Sequence, residues 1–166
     1  MDSGDNDTFG DGEPDGGAGP LDQERELAEI GEEECFRLLQ LGNLGRLAIV
    51  RDGQPEIFPV NYSMDAKTVV VRTQPGVKLD YAPLARVAFE VEDIDLVQRE
   101  GWVVEVRGHA QDITDAIDRR SEHLRTAEVR PWISGPHDHY IAIARPLVSG
   151  RRLLRPRPPA IEDQRP

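Results

Sequence analysis

Short apolar runs, several of them alternating with polar residues, dominate this chain and predict strands more than helices. Over residues 101–113, Trp102, Val104, Val106 and Ala110 share one face, while Val103, Glu105, Arg107 and His109 share the other. That segment is expected to be the longest strand, dry on one side and mixed on the other. Residues 68–73 are almost purely valine and threonine, the make-up of a central strand. Residues 46–51 lead into Asp52-Gly53, and residues 56–64 into Asp65-Ala66-Lys67, both hairpin steps. Residues 86–91 and 140–147 complete a set of six strands. Helical spacing is confined to two places. Residues 27–41 bring Cys35, Leu38, Leu39 and Leu41 to turn-like intervals; Glu32, Glu33 and Glu34 suit a helix N-terminus, and Gly42 and Gly45 end it. Residues 115–127 predict a second, mostly polar helix with Ile117 and Leu124 facing in. Six closely spaced strands and few helices predict a mainly β fold, a small antiparallel barrel instead of a parallel α/β sheet.

Length and composition then set limits. The 166 residues suit one domain with tails, and 38% hydrophobic but only 5% aromatic content predicts an aliphatic core. Residues 1–22 form a Gly- and Asp-rich head whose first twenty positions hold Asp2, Asp5, Asp7, Asp11, Glu13 and Asp15 with no base. So little apolar surface cannot offset ordering entropy, and disorder is expected there. Residues 155–166 alternate Arg and Pro and predict a loose tail, leaving 23–154 as the folded domain. The net charge of -11 argues against nucleic-acid and anionic-membrane partners, although much of it belongs to the head. Cys35 is the only cysteine, so no intrachain disulfide forms and a reducing compartment is expected. No run approaches the ~18 apolar residues of a membrane span, and the N-terminus lacks a secretory signal's basic start and apolar centre. Cytoplasmic localisation follows as the expectation.

Two segments carry candidate chemistry. Val71-Arg72-Thr73-Gln74-Pro75-Gly76-Val77-Lys78 ends a strand at Arg72-Thr73, turns at Pro-Gly and places a lysine just beyond. A guanidinium, a hydroxyl, turn N–H groups and an ammonium are the donors a phosphate monoester needs; solvated cations beside a turn are the alternative. Glu56-Ile57-Phe58-Pro59-Val60-Asn61-Tyr62 holds a proline inside a strand, which is tolerated at an edge, bulge or opening. Such an opening leaves backbone groups for a planar heterocycle, or it marks an ordinary edge. The chain has neither a P-loop nor a dinucleotide-binding glycine motif.

Taken in order, Gly45-Arg46-Leu47-Ala48, Pro59-Val60-Asn61-Tyr62, Arg72-Thr73, Gly76-Val77-Lys78, Val87-Ala88-Phe89-Glu90-Val91 and Gly101-Trp102-Val103-Val104-Glu105-Val106-Arg107-Gly108 resemble the pyridoxamine 5'-phosphate oxidase-like, FMN-binding split-barrel family. The resemblance spans residues 32–154. It implies a six-stranded antiparallel split β-barrel, a homodimer, and FMN in a groove at the dimer interface. It further implies that Pro59, Val60 and Asn61 meet the isoalloxazine edge, that Arg72, Thr73 and Lys78 grip the ribityl phosphate, and that Trp102 and Val103 flank the flavin. Relatives that oxidise pyridoxamine phosphate carry glutamine where Val103 stands and a C-terminal substrate motif of which only Gly150-Arg151-Arg152-Leu153 remains. The resemblance therefore implies a flavin oxidoreductase acting on an unidentified small molecule. A deazaflavin, calling on Arg107, Arg151 and Arg152, or haem ligated by His109, are the cofactor alternatives, and a non-catalytic carrier or sensor is the functional one.

The remaining candidates have plainer explanations. His137-Asp138-His139 lies in a loop entering a strand, with no further ligand at useful spacing. Cys35 sits among glutamates that disfavour its thiolate, so a packed thiol is expected.

Overall fold

Charge and glycine placement divide the first predicted helix in two. The computed structural model describes residues 26–154; the expected acidic head over 1–22 and Arg/Pro tail over 155–166 lie outside the described residues. Glu26–Ile30 is a strand, β1, and the helix α1 starts only after Gly31, spanning Glu32–Leu39. Three glutamates in its first turn complement the helix dipole, and Cys35, Phe36, Leu38 and Leu39 form its buried stripe. Strands β2 (Leu44–Arg51) and β3 (Gln54–Asp65) follow, joined by Asp52 and Gly53, both at positive φ as a tight hairpin turn requires. Then come β4 (Thr68–Thr73), the short helix α2 (Val77–Tyr81), β5 (Arg86–Asp95), β6 (Glu100–Asp112), α3 (Arg119–Leu124) and β7 (His139–Leu154).

The strands form one antiparallel sheet in the order β1-β7-β4-β3-β2-β5-β6, and β6 pairs back to β7 to close the ring. The six expected strands make the barrel; β1 is added outside it, along the C-terminal end of β7. Strand β7 does two jobs. Its first residues, His139–Ile143, pair with β4, and its last, Gly150–Leu154, pair with β1, while β6 accompanies it nearly throughout. This length exceeds the predicted 140–147. Pro146 does not end the strand, because the β6–β7 register jumps from Arg107–Leu147 to His109–Ala144 and the extra residues are absorbed in a bulge. Gly108 makes that bulge possible: a Cβ there would lie 2.8 Å from Ile143 Cγ2.

Inside the barrel pack Leu47, Ile49, Val60, Tyr62, Val69, Val71, Phe89, Val104, Val106, Ile141 and Ile143, with the α1 stripe joined to them. The core is aliphatic, as its composition predicts. Outside the barrel, Val70 and Ala142 are covered by Ile113, Leu124 and Val129. That second cluster anchors α3, which is shorter than the predicted 115–127.

Candidate functional site

Alternation along β3 sends Phe58, Val60, Tyr62 and Met64 toward the core and leaves Pro59 and Asn61 outward. Pairing with β2 runs from Gln54 to Asn61, whereas pairing with β4 covers only Tyr62 to Asp65. Beyond the Tyr62–Val71 pair the two strands part, and Arg72 and Thr73 continue on β7 opposite Tyr140 and His139. Among the described residues, the edge of β3 facing β4 therefore has no strand partner over Phe58, Pro59, Val60 and Asn61. Pro59 withdraws one donor from this stretch, a loss that a strand with one unpaired edge tolerates. Val60 is buried as a side chain, so it offers a ligand only its backbone.

The two predicted cations flank this edge. Lys78 Nζ lies 5.1 Å from the centre of the Phe58 ring at one end. Arg72 stands next in line to Asn61 at the other, its guanidinium 5.5 Å from the centre of the Tyr140 ring. Three residue steps separate Phe58 from Asn61, so the two long cationic side chains approach the edge from its opposite ends. Arg72 Nε donates to the His137 carbonyl, and its terminal nitrogens make no hydrogen bond among the described residues. Thr73 is buried, and its hydroxyl donates to the Gln74 carbonyl at 3.3 Å. Asn61 uses its side chain on the protein: Nδ2 donates to the Asn43 carbonyl at 3.1 Å, and Oδ1 accepts from the Trp132 amide at 2.9 Å. Two residues on, the Ser63 hydroxyl is buried with no partner among the described residues. An open backbone edge, an orphaned hydroxyl nearby and flanking cations suit a flat heterocycle with an anionic arm.

Trp102 and Val103 stand elsewhere. They pair with Asp93 and Glu92 of β5 and with Arg152 and Arg151 of β7. Trp102 packs on the main core, and Val103 faces outward. From β3 to β6 is three strand spacings, roughly 14 Å, so one chain does not bring Val103 to Asn61. Two grooves cover the outward face between them. One, of about 660 Å³, is lined by Ala48, Val50, Arg86, Ala88, Arg107 and His109. The other, of about 530 Å³, holds Glu29, Glu90, Val103, Glu105 and Arg151.

His137 turns its Nδ1 to the Gly135 carbonyl at 2.9 Å, and among the described residues no cluster of His, Cys, Asp and Glu could hold a metal ion. Cys35 is fully buried, its Sγ 3.5 Å from the Ile30 carbonyl; burial first, and Glu34 second, push its thiol up. No helix among the described residues is long and apolar enough to cross a membrane. What sequence reasoning missed is the loop 131–138, which ties Asn61 and Arg72 together. Its one signal is Trp132, a large aromatic set among Pro, Gly and His.

A closed six-stranded antiparallel ring with a seventh strand added outside, opened along β3, defines a split-barrel protein. The model of the pyridoxamine 5'-phosphate oxidase family matches residues 31–152, and the chain belongs to that family. The uncharacterized protein Rv0080 of Mycobacterium tuberculosis is 31% identical over 136 residues, 78% of this chain and 88% of that protein. Among solved structures, the FAD binding protein from Mycobacterium smegmatis is 32% identical with a TM-score of 0.64, covering 75% of this chain and 98% of its own. A FAD-binding protein from Mesorhizobium loti, 24% identical with a TM-score of 0.62, covers 78% of this chain and 98% of its own and shares the fold. The split barrel implied by the sequence resemblance is thus the fold of this chain.

Proposed function

We propose that this protein is a flavin-dependent oxidoreductase that holds its cofactor along the open edge of β3 and completes the site across a homodimer. The observation that carries this reading is the stretch from Phe58 to Asn61, paired with β2 but without a strand on its β4 side, with Lys78 at one end and Arg72 at the other. A flavin nucleotide has a flat apolar tricycle, a ring edge of alternating donors and acceptors, and an anionic phosphate. The backbone of Pro59, Val60 and Asn61 suits the ring edge. Arg72 and Lys78 suit the phosphate, with Thr73 fixing the strand end between them. When bound, the flavin supplies the electron-transfer chemistry, and the protein supplies position and electrostatics. FMN is the smallest ligand that uses every group. FAD, which the name of the M. smegmatis relative carries, contains the same portion and fits the same donors.

The second subunit enters because Val103 and its neighbour Trp102 lie three strands from the edge they are expected to flank. A partner related by a two-fold axis would bring its own Val103 and Arg151 toward that edge.

Titration of the purified protein with riboflavin, FMN and FAD, followed by absorbance, tests the site. Replacing Arg72 and Lys78 together with alanine is expected to weaken FMN by about tenfold or more and leave riboflavin unchanged, because only FMN carries the phosphate. Lys78→Ala alone keeps the Arg72–His137 contact and is expected to give part of the loss. Equal weakening of both ligands would refute the phosphate assignment. Turnover with NAD(P)H and an electron acceptor divides an oxidoreductase from a carrier.

A further inference from the structure

The loop that leads from Val129 into β7 exposes apolar surface where little is expected. Trp132 is 67% exposed and Ile133 74%. Burying an indole is strongly favourable, so a tryptophan left in water has usually been kept for a contact. A loose loop would explain the exposure; this loop is not loose. The Trp132 amide donates to Asn61 Oδ1 at 2.9 Å, and Asn61 Nδ2 in turn donates to the Asn43 carbonyl at 3.1 Å, tying the loop to β3 and to the turn before β2. At the far end the His137 carbonyl accepts from Arg72 Nε. Between these ties Gly135, at a φ of 126°, closes on Gln74: a Cβ there would come within 2.7 Å of Gln74 Nε2. Both anchors, Asn61 and Arg72, belong to the proposed flavin footprint. Among the described residues, the anchoring uses the Trp132 backbone and not its indole.

We infer that Trp132 is a stacking platform for the flavin's isoalloxazine ring, its backbone pinned by Asn61 so that the indole waits beside the open edge of β3. This rests on the cofactor site proposed above. The loop is fixed before the ligand arrives, so the contact costs little ordering entropy. It also explains why Asn61 spends its side chain on Asn43 and Trp132: it positions the platform and leaves its backbone for the ring.

The test compares wild type, Trp132→Ala and Trp132→Phe as full-length protein, with riboflavin, FMN and FAD as probes. Fluorescence titration gives the affinities, the emission of the bound flavin reports the contact, and sedimentation gives the oligomeric state. Trp132→Ala is expected to weaken all three ligands by about tenfold or more, since all share the ring, and Trp132→Phe to recover most of that loss. Bound flavin is expected to be strongly quenched in wild type and brighter in Trp132→Ala. Unchanged affinity and emission in Trp132→Ala would overturn the platform while leaving the cofactor site intact. Loss for FAD alone would place the indole on the adenine and overturn the ring assignment. Loss of self-association with no change in flavin emission would make Trp132 a subunit contact and overturn it as well. If wild type binds none of the three, the cofactor reading itself fails and the platform falls with it.

Discussion

Tyr62 shows how much of this barrel rests on single polar atoms in apolar surroundings. The side chain is buried, its ring meets Phe89 edge-on with centres 4.9 Å apart, and its hydroxyl donates to the Leu39 carbonyl at 2.6 Å. The bond ties the C-terminal end of α1 to β3. Burial pushes the phenol up to about 12. A group whose folded pKa is raised binds its proton more tightly when folded, so stability is intact below about pH 10 and falls between about 10 and 12. Tyr62→Phe is expected to cost about 1 to 3 kcal/mol near neutrality, because the Leu39 carbonyl loses its donor in a dry site. It should also flatten the loss of stability across that alkaline window, which urea unfolding at several pH values would reveal; an unchanged alkaline slope would mean another group is responsible. Glu34 behaves oppositely. Hydrogen bonds from Arg37, at 2.6 and 2.8 Å, and from Arg152, at 3.1 Å, hold its carboxylate at about 2, so what it contributes is present above about pH 4.5 and lost as pH falls toward 2. The group is solvent-accessible, and salt screens much of that contribution.

At the scale of elements, α3 illustrates what a short helix needs. Six residues cannot support a helix in water, so capping and packing must do so. Asp118 Oδ1 accepts from the amides of Arg120 and Ser121 at 3.1 and 3.0 Å, and Leu124 docks on Val70 and Ala142. Asp118→Ala is expected to lower the urea midpoint and Asp118→Asn to lower it by much less, because asparagine can still cap the two amides. The same helix marks the boundary of what periodicity could reveal. Leu124 faces in as expected, but Ile117 is exposed, because the helix starts after it at a cap that the apolar spacing does not register. Likewise residues 27–41 show one helical spacing in sequence, yet Gly31 splits them, and the strand half pairs with residues 150–154 at the other end of the chain. The hairpin turns at Asp52-Gly53 and Ala66 were legible because their determinants are adjacent in sequence. At the site, the residue types around Pro59 and Arg72 were legible and their arrangement was not. The parting of β3 from β4 depends on β7, and the loop 131–138 is fixed by residues 71 and 65 positions away. Contacts of that range leave no local pattern.

For the whole molecule the decisive surface is the outward face of β3, β2, β5, β6 and β7. Across it, one row of paired residues runs Ile57, Ala48, Ala88, Arg107, Leu147, and the next runs Pro59, Arg46, Glu90, Glu105, Ser149. The first row is mostly apolar, with Ile57 65% and Leu147 70% exposed, and Arg86 and His109 lie just beyond it. The second opposes Glu90 directly to Glu105, a like-charge pair that is unfavourable in an isolated sheet. Arg46 at 3.7 Å from Glu90 and Arg107 at 3.1 Å from Glu105 relieve it only in part, at exposed positions. A face with a basic, apolar half and an acidic half is self-complementary: a two-fold axis lays each half on its opposite. That pattern supports the proposed homodimer. Leu147→Asp should place a carboxylate in the apolar half and convert the protein to monomer at micromolar concentration, as sedimentation equilibrium would show, and raising the salt should weaken the wild-type dimer. In the proposed dimer Val103 and Arg151, on this same face, are what the partner subunit contributes to the β3 edge, so the monomeric variant should also lose flavin affinity, although residue 147 lies outside the edge itself. A Leu147→Asp monomer that kept wild-type FMN affinity would separate the two halves of the reading: the face would still join subunits, but a single chain would hold the cofactor alone.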